Sequence, residues 1–110
     1  MTTERNEQIR KTIQRAISVY RGHEVNVTTL GDDDLRCFHV EDDLTNREFE
    51  KQFPNEAIKA ANGDQAAWEK LYEPLLDIEK ALKAIGAIVE EYSEDNGDPN
   101  EYVTILIADE

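Results

Sequence analysis

Apolar positions recur along this chain in two rhythms, and the rhythms divide it into elements. Ile9, Ile13, Ala16, Ile17 and Tyr20 follow one another at mostly three- and four-residue steps. That spacing builds one apolar stripe and predicts a helix over about residues 3–22, capped by Thr2 or Thr3, with Arg10 and Arg15 facing water. Glu7 stands four residues before Lys11, a favourable spacing for an ion pair on a helix. A two-residue rhythm follows. Val25, Val27 and Thr29 alternate with polar residues, Gly31-Asp32-Asp33-Asp34 supplies turn chemistry, and residues 35–40 alternate again. These segments predict a hairpin, its second strand partly covered on both faces.

The middle of the chain reads as helices. Thr45-Asn46-Arg47-Glu48 has the form of a capping box, with Thr45 at the cap and a glutamate three residues later. A short helix carrying Phe49 and Phe53 should follow and stop before Pro54. A second is expected at about residues 55–62, with Ile58 and Ala61 inward. Asn62-Gly63 closes it and Asp64 caps the next. The longest pattern is Trp68, Leu71, Leu75, Ile78, Leu82, Ile85, Val89 and Tyr92, a formal heptad seam on a long helix 65–92. Pro74 either kinks that helix or stands in the first turn of a second one. Gly86 in mid-helix would cost about 1 kcal/mol relative to alanine. Ala81 and Ile88 widen the stripe, which favours packing in the chain's own core over a coiled coil.

Residues 101–108 place Val103, Ile105 and Ile107 on one side and Tyr102, Thr104 and Leu106 on the other. This apolar density predicts an interior strand. The expected fold class is α+β in the order α-β-β-α-α-α-β. Its small three-stranded sheet is at least partly antiparallel and packed on one face by helices, in a single acidic domain, 1–110.

Charge changes the picture. The chain has 25 acidic residues against 12 basic, a net −13. Such a chain repels nucleic acid and anionic membranes, and a basic protein surface is its natural partner. The charge is uneven. Arg5, Arg10, Lys11, Arg15 and Arg21 against Glu4 and Glu7 make the first stretch basic, whereas no lysine or arginine follows Lys83. The basic residues either orient the molecule on a partner or pair with carboxylates of the same fold. One cysteine, Cys37, allows no intramolecular disulfide, and MTTERNEQIRK has no apolar signal region. A cytoplasmic protein is therefore expected. No apolar run approaches the roughly 18 residues of a membrane span.

Candidate chemistry is sparse. Cys37 and His39 share a strand face, with His23 elsewhere, but no spacing matches a zinc site or a Cys/His nucleophile motif. Glu94-Asp95-Asn96-Gly97-Asp98 fails as a calcium loop, because Tyr92 falls where a ligand should stand. The clusters Asp32-Asp33-Asp34 and Glu41-Asp42-Asp43 flank a strand, which separates them by roughly 20 Å and prevents them from sharing an ion. No catalytic residue, metal or cofactor is expected.

What remains is the acidic surface. Carboxylates on alternate strand residues, or four apart on a helix, stand roughly 6–7 Å apart, close to the phosphate spacing of a nucleic acid strand. The expected contact residues are Asp32, Asp33, Asp34, Glu41, Asp42, Asp43, Glu90, Glu91, Glu94, Asp95 and Asp98. In size, acidity and element order the chain resembles small phage-encoded inhibitors of host defence, and immunity proteins that neutralise nuclease toxins. The resemblance is one of class and implies a non-enzymatic inhibitor or nucleic-acid mimic that occludes a basic, nucleic-acid-handling partner. Two other readings are an adaptor that forms a homodimer through the long helix 65–92, and an acidic housekeeping domain whose charge serves solvation.

Overall fold

The computed structural model describes residues 2–30, 36–94 and 103–109. Helix α1 (Thr2–Arg21) leads into β1 (Val27–Leu30) and β2 (Cys37–Val40). Four helices follow: α2 (Arg47–Gln52), α3 (Pro54–Ala61), α4 (Gln65–Leu71) and α5 (Glu73–Lys83). Strands β3 (Ala87–Glu94) and β4 (Val103–Asp109) close the chain. The sheet has four antiparallel strands in the order β1-β2-β4-β3. The class is α+β as expected, with one strand more than predicted.

One face of this sheet is the core. Val27, Phe38, Val40, Val103, Ile105 and Ile107 are buried there beneath Ile9, Ile13 and Ile17 of α1 and Leu75, Ile78 and Leu82 of α5. Each fully buried side chain of this kind contributes about 1.5–3 kcal/mol. The predicted stripe of α1 and the inward face of β4 are both realised. β4 lies between β2 and β3, an interior position.

The long helix 65–92 does not form. Tyr72 ends α4, and Pro74 stands in the first turn of α5, where its missing N–H costs nothing. At the far end, Ile85 N–H and Gly86 N–H donate back three residues to Leu82 and Lys83 carbonyls at 3.0 and 3.1 Å. Gly86 then takes φ 77°, a left-handed conformation that costs other residues about 1–2 kcal/mol. The backbone leaves as β3. Leu71, Leu75, Ile78 and Leu82 of the heptad seam are buried in this chain's own core, so no seam is left for a homodimer.

Smaller expectations change as well. The cap of α2 is Asn46, not Thr45: its Oδ1 accepts from Phe49 N–H at 3.1 Å. Asp64 does cap α4, accepting from Ala67 N–H at 3.0 Å. Helix α3 turns Ala57 and Ala60 toward Ala67 and Leu71, because small residues let two helices approach closely. Ile58, expected inward, is therefore 60% exposed. Arg10 does not face water freely. It binds Glu7, Gln14 and the Val27 carbonyl. The caps proposed at Thr2 or Thr3 fall outside the described side chains.

Candidate interaction surface

The acidic residues singled out by the sequence divide into two kinds. Glu41, Asp42 and Asp43 follow β2, where the chain turns toward α2. Arg21, in the last turn of α1, reaches this turn. Its Nε donates to Asp42 Oδ2 at 2.9 Å and its Nη2 to Asp42 Oδ1 at 2.7 Å. The same Nη2 also meets Asp43 Oδ1 at 2.8 Å and the Thr45 carbonyl at 2.7 Å. The Arg21 and Asp42 side chains are only 7% and 3% exposed. Asp42 Oδ1 further accepts from Leu44 N–H at 2.8 Å, fixing Leu44 at φ 57° while its side chain enters the core. A bidentate arginine–carboxylate pair thus ties the end of α1 to the turn after β2.

Arg47, the first residue of α2, approaches from outside and meets Asp42 and Asp43 at 3.5 and 3.3 Å. Burial pushes the Asp43 carboxyl up. Hydrogen bonding and charge from Arg47 outweigh that, so it ionises below the usual carboxylate range. Asp42 and Asp43 are thereby engaged inside the fold, and only Glu41 of this cluster is exposed, accepting from Asn26 Nδ2 at 3.3 Å.

Glu90 and Glu91 differ. They stand exposed on β3, an edge strand, and among the described residues no lysine or arginine pairs with them. Val89 pairs with Ile107 and Glu91 with Leu106, so Glu90 is the extra residue of a β-bulge. Bulges and charges on an edge strand oppose pairing with a stray strand. Glu94 ends β3 beside Val103, which places it at the same end of the sheet as Glu41, since Val103 also pairs with Val40. Asp32, Asp33, Asp34, Asp95 and Asp98 lie outside the described residues.

The sheet face turned away from the core was not singled out by the sequence. Strand register lines up Leu30, Cys37, Leu106 and Glu91 in one row across it, and Thr28, His39, Thr104 and Ser93 in the next. Ile88 opposite Ala108 flanks the first row. Leu30 and Ile88 are 38% and 41% exposed, and none of these apolar residues joins the core. Cys37 and His39 share this face, both half-buried. Among the described residues no three His, Cys, Asp or Glu side chains gather as a metal site. A shallow hollow of about 190 Å³ at Gly63, Gln65 and Trp68 is smaller than usual ligand pockets, about 300–1,000 Å³. No described helix is long and apolar enough to cross a membrane.

Compared with family models, curated proteins and solved structures, the chain matches none.

Proposed function

We propose that this chain is a non-enzymatic binding protein that uses displayed carboxylates to occlude a basic, nucleic-acid-handling protein such as a nuclease or a defence complex. One observation carries the reading. Arg21 is drawn inward to Asp42 and Asp43, and Arg10 is held by Glu7 and the Val27 carbonyl, while Glu41, Glu90 and Glu91 stand exposed. Arg10 cancels Glu7, and Arg21 and Arg47 together cancel Asp42 and Asp43, so these groups leave the net −13 of the chain to its other residues. Such a surface steers a cationic partner in and gives fast, salt-sensitive association. The class likeness to small phage inhibitors and nuclease immunity proteins points the same way.

A pull-down from native host lysate at low salt, eluted by a salt gradient, tests the reading. One basic nucleic-acid-handling protein or complex retained to moderate salt supports it. A diffuse set of basic proteins released together at low salt would assign the charge to solvation.

A further inference from the structure

Every surface of a chain that is 34% charged would be expected to carry charge, yet among the described residues two rows of the sheet's outer face hold almost none. Across its two four-residue rows the only acidic residue is Glu91, at the β3 end of the row Leu30, Cys37 and Leu106. Ile88 and Ala108 extend the apolar area beside that row, and Glu90 bulges from the strand next to Glu91. The result is an apolar platform with a carboxylate edge.

A second copy of the chain does not suit it. Strands of four, four, seven and eight residues, about 4.8 Å apart and about 3.3 Å per residue, give a face of roughly 400 Å². Two copies would bury roughly 800 Å² in total, short of the roughly 1,200 Å² at which stable interfaces begin. They would also bring together two chains of −13 each. A cationic partner has neither problem, because its contact can continue past the edge onto Glu90 and Glu91.

We propose that this face docks an apolar element of the basic partner, with leucine-like side chains seated on Leu30, Cys37, Leu106 and Ile88 and flanking lysines or arginines on Glu90 and Glu91. The inference rests on the partner being basic, and adds that charge alone does not hold it. Apolar contact at the centre and charge at the rim is the usual division in protein interfaces.

The test titrates the isotopically labelled protein, followed by NMR, with two synthetic peptides. One is an amphipathic peptide of leucine and lysine; the other is oligolysine of equal charge. The leucine–lysine peptide should shift the amides of Leu30, Cys37, Leu106, Ile88 and Ala108, and oligolysine should not. Ile88→Asn and Leu30→Asn change no charge and touch exposed positions. Each should weaken the leucine–lysine peptide about tenfold and leave oligolysine binding as it was. If both peptides shift only the neighbourhood of Glu90 and Glu91, and Ile88→Asn changes nothing, the platform is overturned while the acidic reading stands. If neither peptide binds, both fall. Seating of the peptide on Phe53 and Ile58, or dimerisation through the face without peptide in sedimentation equilibrium, also overturns the proposal.

Discussion

The segments 41–43 and 90–91 look alike in sequence and do opposite things in the fold. Asp42 and Asp43 are engaged by Arg21, whose guanidinium arrives from the end of α1 and is almost fully buried with them. Glu90 and Glu91 sit on an edge strand in a stretch with no lysine or arginine after Lys83. An acidic run is therefore not one kind of feature. A cation held in place by the fold turns carboxylates into structure; without one they remain available to a partner.

The largest expected effect breaks the first half of that comparison. Asp42→Ala leaves Arg21 buried with half its partners gone and frees the left-handed turn at Leu44. It should cost about 3–5 kcal/mol, read as a lower denaturant midpoint. Loss of less than about 1 kcal/mol would mean that water replaces the carboxylate easily.

Next comes Gly86→Ala. A Cβ there would meet only Arg5 Nη2, at 3.8 Å, an ordinary contact, so the cost is backbone strain at φ 77°. About 1–2 kcal/mol is expected by thermal unfolding. An unchanged midpoint would show that the turn between α5 and β3 relaxes.

A smaller effect follows at Arg47, which is 57% exposed and should contribute no more than about 1 kcal/mol. Its mark is on pH dependence. The folded Asp43 carboxyl ionises below its ordinary 3.8, so its contribution is complete above that value and fades as pH falls through the depressed one. Arg47→Ala should move the acid unfolding limb to higher pH. Asp77 and Glu79 act in the opposite sense. Burial raises both carboxyls, so the stability they lend is present below the ordinary range and lost as pH rises through the raised values. An acid limb that Arg47→Ala leaves in place would remove Arg47 as the cause of the Asp43 shift.

The smallest expected effect is at the displayed pair. Glu90→Gln and Glu91→Gln should each change stability by less than about 0.5 kcal/mol. A loss comparable to that of Asp42→Ala would end the distinction between the two segments.

Much of the fold was legible because burial imposes period. The isoleucines of α1 and the alternation of β4 each predict their element and its inward face. The long helix misled for a physical reason. Buried or half-buried positions on β3 are Ala87, Val89 and Tyr92. The bulge at Glu90 inserts one residue and stretches a two-residue step to three. With Ile85 four residues before Val89, the strand then continues the three-four rhythm of α5. Gly86 was the available signal, as a stop rather than a mid-helix glycine. The interaction surface was less legible. Nothing local in Asp42-Asp43 announces Arg21, some twenty positions earlier, and the open apolar face exists only once four strand registers are aligned.

The central claim is that displayed carboxylates, not the paired ones, hold a basic partner. Its most direct test is the affinity for the partner recovered by salt elution, measured across a salt series for the native chain and for the double reversal Glu90→Lys/Glu91→Lys. The account predicts that native affinity falls steeply with salt, and that the reversal weakens binding by orders of magnitude and flattens that dependence. Equal affinity and equal salt slope for the two proteins would contradict it.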